Sequence, residues 1–230
     1  MKIGILQTGH SPSVLQAAHG DYNAMFMRLL ARPDIAFETF AVPEDRFPTE
    51  LSAADAWVVT GSRCGVRDGF PWIARLENLL RDLHEARAPV LGICFGHQAI
   101  AQALGGRVGK FAGGWSCGLE RYRLEGRDTP AALHAWHQDQ VIEPPPGADV
   151  IAESDFCRYA GLRFGDHILT LQPHPEFDAS FVAGLAEETR PIVGDAVADS
   201  ALASLKDGPA DDLGTYLLDF LDAAVAATAR

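Results

Sequence analysis

The chain has 230 residues, of which 47% are hydrophobic and 22% are charged. This composition suits a globular protein with a buried core and argues against intrinsic disorder. Lys and Arg together number 19 and Asp and Glu number 31, so the formal net charge is −12. Because nucleic acids and anionic membrane surfaces select basic proteins, we expect neither as a partner.

The sequence offers no sign of export or of a membrane span. No segment approaches the ~18 consecutive apolar residues of a membrane-spanning helix, and the N-terminus lacks the features of a signal peptide. The four cysteines, Cys64, Cys94, Cys117 and Cys157, have no spacing typical of metal ligands. We therefore expect reduced thiols, a cytoplasmic location, and no metal or cofactor.

Apolar runs and amphipathic stretches alternate through the first half of the chain. The predicted elements are a strand over 2–7, a helix over 21–30, strands over 35–42 and 55–60, a helix from Pro71 through Leu83, a strand over 89–93 and a helix over 95–104. This alternation predicts a parallel sheet that is covered by helices on both faces.

The second half is richer in strands and ends in helices. Strands are predicted over 119–124, 133–136, 150–153, 158–164 and 168–171. They indicate hairpins or an extension of the sheet. The clearest tail helix has apolar residues at helical spacing from Leu213 to Ala224.

A cysteine stands in a sharp turn between a predicted strand and a predicted helix. In Gly92-Ile93-Cys94-Phe95-Gly96, the glycines fit a nucleophile elbow, where side chains two residues from the nucleophile would clash. The helix start favours a thiolate, and the N–H of Phe95 would face a developing oxyanion. The alternative is a buried structural cysteine, but this turn favours Cys94 as a nucleophile.

A thiol nucleophile needs a base, and the base needs a group that orients it. The segment Gln172-Pro173-His174-Pro175-Glu176 offers both. Its prolines exclude a helix, and residues i and i+2 of an extended segment point the same way. A Glu176 carboxylate on one ring nitrogen of His174 would leave the other nitrogen for the thiol.

The stretch GICFGHQAIAQALGG and the distant HPE segment together resemble the class I (triad) glutamine amidotransferases. The resemblance extends from the first strand to about Phe177. It implies a flavodoxin-like three-layer α/β fold with a mixed central sheet. We expect a single domain over 1–230, with a core of about 1–178 and a helical C-terminal extension over 179–230.

The resemblance also implies a reaction. Cys94 would attack the side-chain amide of glutamine, with His174 as base and acid and Glu176 as the orienting group. A γ-glutamyl thioester would form, ammonia would leave, and water would release glutamate. The chain is most similar to stand-alone relatives of the glutaminase part of GMP synthase, some of which act on γ-glutamyl peptides or conjugates.

Further site residues follow from the same resemblance. Gly61 and Ser62 correspond to the oxyanion loop, where the N–H of Ser62 would join that of Phe95. Gln98 follows the elbow as in the family's Cys-x-Gly-x-Gln pattern and is expected to face the glutamine. All of these positions come after a predicted strand or at the start of a predicted helix.

Two more segments are implied to hold the α-carbon groups of the substrate. The backbone of Trp115-Ser116-Cys117-Gly118 would hold the α-carboxylate, with Ser116 and Cys117 as the contacts. In His137-Gln138-Asp139-Gln140-Val141, Asp139 would receive the α-ammonium in a charge-assisted contact. Trp115 and Trp136 are expected to pack in the core or at its rim.

Several alternatives remain open from sequence. We expect a glutaminase alone on its chain, because neither an ATP-pyrophosphatase domain nor a phosphate-binding GxxxxGK[ST] loop follows. It would be either a free-standing hydrolase of glutamine or a γ-glutamyl small molecule, or a subunit that docks a separate synthase. Arg63 and Arg67 either meet a substrate carboxylate or lie on solvated surface.

Two rival classes share the predicted fold. A Cys hydrolase of the DJ-1/PfpI type has the same elbow, but the HPE segment argues against it. A non-catalytic regulatory module is the second rival, and the intact set of Cys94, His174 and Glu176 argues against that. We therefore predict cysteine-dependent hydrolysis of a γ-glutamyl amide.

Overall fold

The computed structural model describes residues 1–228. Its strands are β1 (Lys2–Gln7), β2 (Ala36–Ala41), β3 (Ala56–Val59), β4 (Val90–Ile93), β5 (Arg107–Lys110), β6 (Ser116–Leu124), β7 (Ala131–His137), β8 (Asp139–Glu143), β9 (Asp149–Glu153), β10 (Gly161–Phe164) and β11 (Ile168–Leu171). Its α-helices are α1 (Ser13–His19), α2 (Tyr22–Leu29), α3 (Pro71–Glu85), α4 (Phe95–Ala103), α5 (Ala179–Val193), α6 (Asp195–Ser204) and α7 (Gly214–Thr228).

Nine strands form one mixed sheet in the order β2-β1-β3-β4-β11-β10-β9-β6-β7. The first five are parallel to one another, and each later neighbour pairs antiparallel. The strands β5 and β8 form a separate antiparallel pair. Parallel strands need crossover connections, which the helices between them supply.

Helices cover both faces of the parallel part of the sheet. On one face, Phe26 of α2 and Leu217 and Leu221 of α7 are buried in one cluster with strand residues such as Ile5 and Leu91. On the other face, the apolar stripe of α3 and residues of α4 are buried against Trp57 and Val59. The fold is therefore the flavodoxin-like three-layer arrangement that the sequence predicts.

Local sequence explains where several helices begin. The Asp21 carboxylate accepts a hydrogen bond from the Tyr22 N–H at the start of α2, and the Asp178 carboxylate caps α5 through the Phe181 N–H. Pro71 occupies the first turn of α3, where its missing N–H costs no helical hydrogen bond. These signals lie within about one turn of each helix start, so they are readable from sequence.

The predicted elements are all present, with ends that shift by a few residues. Three further elements, α1, β5 and β8, have no counterpart among the predictions. Helix α1 has seven residues and no side-chain cap, and β5 and β8 have four and five residues. Their periodic patterns are too short to stand out. None of the helices within residues 1–228 is both long and apolar enough to cross a membrane.

Candidate active site

The backbone of Cys94 adopts a conformation that is rare for a residue with a side chain. Its φ is 52° and its ψ is −99°, and it lies between the end of β4 and the first residue of α4. A positive φ at a non-glycine residue costs about 1–3 kcal/mol and persists only where the surrounding structure holds it. The turn directs the cysteine out of the strand at the N-terminus of a helix.

The two glycines of the elbow are required by close packing. A Cβ on Gly96 would lie 2.4 Å from the carbonyl oxygen of Val59, and one on Gly92 would lie 2.5 Å from Cδ1 of Ile100. Both distances are far below van der Waals contact. The glycines therefore allow α4 to approach β3 and β4 closely enough to form the turn.

Pairing between β4 and β11 brings the distant HPE segment to this turn. Leu171 lies opposite Ile93 in the parallel register, and the Cys94 N–H donates to the Leu171 carbonyl at 2.8 Å. Three residues after Leu171, the His174 N–H donates to the His134 carbonyl of β7 at 2.8 Å. The segment is thus held between two strands at the carboxyl edge of the parallel sheet, where α/β proteins place their ligands.

His174 and Glu176 form a buried pair. Nδ1 of His174 lies 2.7 Å from Oε1 of Glu176, and the carboxylate side chain is fully buried. Burial by itself lowers the pKa of His174, but the negative charges of Glu176 and Cys94 outweigh it and hold that pKa well above its ordinary value. The imidazole is therefore suited to carry a proton beside a thiolate.

Gly61 lies close to both the imidazole of His174 and the side chain of Cys94. A Cβ at this position would be 2.9 Å from Cε1 of His174 and 3.8 Å from Cβ of Cys94. The next residue, Ser62, is held by its hydroxyl, which donates to the Thr8 carbonyl at 2.8 Å and accepts from the Cys64 N–H. Within residues 1–228, the N–H groups of Ser62 and Phe95 donate to no other group, so both are free to bind an oxyanion.

Gln98 and Asp139 are brought together on another side of the elbow. Nε2 of Gln98 donates to the Asp139 carbonyl at 2.8 Å and to Oε1 of Gln172 at 3.1 Å. Gln172 in turn donates through Nε2 to Sγ of Cys94 at 3.5 Å. The sequence did not single out Gln172 for a role, although it is the residue that opens the Gln-Pro-His-Pro-Glu segment.

Ser116 and Cys117 stand at the start of β6, opposite His137 and Trp136 of β7. The carbonyl of Trp136 lies 4.0 Å from Sγ of Cys94, so the ends of β6 and β7 adjoin the nucleophile. Burial raises the pKa of Cys117 to about 12. The Cys117 side chain is therefore a neutral thiol, and its backbone is the part suited to polar contact.

A pocket of about 130 Å³ opens beside His174. It is bordered by Tyr22, Trp115, Trp136, Leu185, Ile192 and Val193, together with Ser62, Arg63 and Thr189. The two tryptophans thus lie at the rim of a cavity, and four residues of α5 form one wall. The sequence does not predict that a tail helix reaches the site, because an amphipathic pattern does not reveal what its apolar face contacts.

These groups can support acyl transfer at a thiol. A cysteine at a helix N-terminus, a buried imidazole–carboxylate pair beside it, and two free N–H groups near the turn supply a nucleophile, an acid–base group and oxyanion donors. The residues predicted for catalysis all lie around Cys94, those predicted for the α-carbon groups lie on β6 and β8, and Gln98 lies on α4.

Comparison with known proteins supports the same class. The family model for class-I glutamine amidotransferases matches residues 21–181. Gamma-glutamyl peptidase 3 of Arabidopsis thaliana is 31% identical over 179 residues, covering 71% of this chain and 72% of the relative. A subunit of the glutamine-hydrolysing GMP synthase of Archaeoglobus fulgidus is 33% identical over 165 residues, covering 69% and 85%.

Solved structures share the fold. A glutamine amido transferase from Methylobacillus flagellatus superposes with a TM-score of 0.71 at 22% identity, covering 99% of this chain and 94% of that one. A glutamine amidotransferase from Thermotoga maritima gives a TM-score of 0.72 at 18% identity, covering 98% and 97%.

The chain belongs to the class-I glutamine amidotransferase family. It is an enzyme that hydrolyses γ-glutamyl amides by a cysteine-dependent mechanism. The family match confirms the class that the elbow and the HPE segment predict.

Proposed function

We propose that Cys94, His174 and Glu176 form the catalytic triad of this enzyme and that it acts as a free-standing γ-glutamyl hydrolase. The observation that carries the proposal is the buried His174–Glu176 pair at 2.7 Å beside a cysteine held at a φ of 52°. A structural cysteine has no need of a strained backbone or of an oriented imidazole.

In the first half-reaction the Cys94 thiolate attacks the γ-carbonyl carbon of the substrate. The carbonyl oxygen becomes negative and accepts hydrogen bonds from the N–H groups of Ser62 and Phe95. Protonated His174 then gives its proton to the departing nitrogen, so the C–N bond breaks and a neutral amine leaves. The γ-glutamyl group remains as a thioester on Cys94.

In the second half-reaction neutral His174 takes a proton from water, whose oxygen attacks the thioester. The C–S bond breaks, glutamate is released, and the thiolate and the imidazolium are restored. Glu176 holds the imidazole in one tautomer through Nδ1 and stabilises its positive charge throughout. One water is consumed for each amide cleaved.

The glutamyl half of the substrate would be held on the side of Gln98, Ser116, Cys117 and Asp139. The Asp139 carboxylate forms no salt bridge within the described part of the chain and stands beside the loop after Ser62, with Oδ2 3.1 Å from the position of a Cβ on Gly65. It is therefore available for an ammonium group. The N–H₂ of Gln98 is already occupied, so we propose that Gln98 positions Asp139 and Gln172.

A second candidate function is a glutaminase subunit that passes ammonia to a separate synthase. The likeness to the GMP synthase subunit of Archaeoglobus fulgidus favours it, whereas the likeness to gamma-glutamyl peptidase 3 favours the free-standing enzyme. Steady-state assays of the purified chain on glutamine and on a γ-glutamyl dipeptide separate the two. Clear turnover of either supports free-standing action, and negligible turnover of both that is restored by a co-purifying synthase supports the synthase-coupled role.

A further inference from the structure

The pocket beside His174 lies where the departing amine would be. His174 is the group that protonates the leaving nitrogen, and it is one of the residues that line the pocket. Gln98, Ser116, Cys117 and Asp139, which are proposed to hold the glutamyl half, do not line it, although Trp115, which precedes Ser116, does. The pocket therefore adjoins the amine side of the scissile bond.

Most of the pocket wall is apolar or aromatic. Trp115, Trp136, Leu185, Ile192 and Val193 supply this surface. A volume of about 130 Å³ is close to the ~150 Å³ of an apolar protein cavity that accepts benzene. Ammonia, the leaving group of glutamine, would leave this space unfilled, whereas a leucine-sized or phenyl-sized group would fill it.

One cation borders the same space. Among the described residues, Arg63 lines the pocket and no acidic residue does. Within residues 1–228, no carboxylate lies within salt-bridge distance of Arg63, whereas Arg32 and Arg123 each pair with two. A guanidinium without a partner is suited to bind a carboxylate through two parallel hydrogen bonds.

Tyr22 adds a second polar group to the pocket. The residue is only 5% exposed, and its hydroxyl makes no hydrogen bond within the described residues. Burial and the charges of Cys94 and Glu176 raise the pKa of Tyr22 above its ordinary value, so the phenol keeps its proton. It can therefore donate to an anionic group that enters the pocket.

We propose that this pocket binds the amine half of the substrate, and that this half is an apolar α-amino acid whose carboxylate pairs with Arg63. The inference rests on the proposed γ-glutamyl hydrolysis and names its substrate class. The substrates are γ-glutamyl amides of leucine-like or phenylalanine-like amino acids, and the products are glutamate and the free amino acid.

Three substrates and two arginine variants test the carboxylate contact. The substrates are γ-glutamyl-leucine, the γ-glutamyl amide of isoamylamine, which is leucine without its carboxylate, and glutamine. For the wild type we expect kcat/KM to be highest for γ-glutamyl-leucine. Arg63→Gln should lower the ratio of kcat/KM for γ-glutamyl-leucine to that for the isoamylamide about 10- to 100-fold, the loss typical of a charged hydrogen bond.

Arg67→Gln is the matched control for that measurement. It removes the same charge from the same loop, but Arg67 borders a different surface, beside Gly106 and Ile142. The ratio should stay within about twofold of the wild-type value. An equal loss of that ratio in both variants would mean that net charge alone matters, and would overturn the proposal.

A second pair of variants tests the apolar wall. Ile192 is 63% exposed, so Ile192→Ser is expected to fold. We expect it to lower the preference for γ-glutamyl-leucine over γ-glutamyl-glycine about 10-fold, the lower end of the scale for a lost hydrophobic contact in a pocket, because much of the Ile192 side chain is exposed. Val14→Ser is the control, because Val14 is 66% exposed and does not line the pocket.

The outcomes separate this inference from the proposed function. If glutamine is hydrolysed but γ-glutamyl-leucine is not, the substrate class is wrong and the catalytic proposal stands. If Arg63→Gln lowers kcat/KM for glutamine and γ-glutamyl-leucine equally, Arg63 holds the glutamyl carboxylate and the inference is overturned. If no γ-glutamyl compound is cleaved and a glutamine-like electrophile does not label Cys94, the catalytic proposal fails as well.

Discussion

The ring of Phe177 lies flat against the imidazole of His174, with the ring centroids 3.9 Å apart and the planes within 4°. Phe177 is in turn packed against Phe181 of α5, at a centroid distance of 4.5 Å. Stacking restrains the tilt of the imidazole, and the hydrogen bond to Glu176 restrains its rotation. The proposed acid–base group is therefore held by two contacts that act in different directions.

The first prediction concerns the triad. Cys94→Ala and His174→Ala should abolish glutamate release from a γ-glutamyl substrate, because each removes a group that forms or accepts a bond. Glu176→Gln should retain measurable turnover, lowered about 10²- to 10⁴-fold, because an orienting group contributes less than the nucleophile it serves. Near-normal hydrolysis by Cys94→Ala would show that the mechanism is wrong.

The second prediction concerns which thiol reacts. A diazoketone analogue of glutamine should label the protein once, at Cys94. Burial raises the pKa of both Cys117 and Cys157 to about 12, so neither is a thiolate at neutral pH. Peptide mass mapping measures the site, and Cys94→Ala is the control that should take up no label. Labelling of Cys64, Cys117 or Cys157 in the wild type would refute the assignment.

The third prediction concerns the packing of the elbow. Gly96→Ala should lower the free energy of unfolding by about 2–3 kcal/mol, because the new methyl group meets the Val59 carbonyl, a backbone atom that cannot move aside. Gly69→Ala is the comparison. Gly69 has a φ of +74°, but no atom of residues 1–228 beyond its chain neighbours lies within 4 Å of the new Cβ, so only backbone strain of about 1 kcal/mol is expected.

Urea unfolding of the two glycine variants measures the difference. Similar losses in both would mean that close approach of α4 to β3 is not what Gly96 provides. A loss of activity without a loss of stability in Gly96→Ala would instead indicate that α4 shifts and displaces the nucleophile.

The fourth prediction concerns stability against pH. His97 and His137 are buried, and burial lowers the pKa of each to about 3. Between about pH 6.5 and pH 3 the unfolded chain binds a proton at each position and the folded chain does not. Stability is therefore lost as pH falls below about 6.5, by about 1.4 kcal/mol per pH unit for each histidine.

The variant His97→Gln removes one of these two protonation sites, so the contribution of His97 can be measured by itself. Its glutamine side chain can still meet the Thr170 hydroxyl, which lies 2.8 Å from Nδ1 of His97. Urea unfolding between pH 6 and pH 5 should show a slope of stability against pH that is smaller by about one proton. His174 has the opposite shift, so its contribution changes only above pH 6.5. An unchanged slope in His97→Gln would contradict the prediction.

The sequence alone determined the parts of this protein that depend on neighbours along the chain. The glycines on either side of Cys94 predict a turn that only residues without side chains permit, and the prolines around His174 predict an extended segment that points Glu176 the same way. Helix starts at Asp21 and Pro71 follow from single side chains. Each of these signals acts within a few residues, so the backbone conformation of these segments can be predicted without knowledge of the fold.

The tertiary structure decided which distant segments meet. The β4–β11 pair places His174 beside Cys94 across 80 positions of the chain. Because α5 packs against the site, Ile192 forms part of the pocket wall. Arg63 lines the same pocket. An apolar stripe or a lone arginine has the same appearance in sequence whatever it faces, because burial and charge pairing are settled only when the whole sheet and its helices pack.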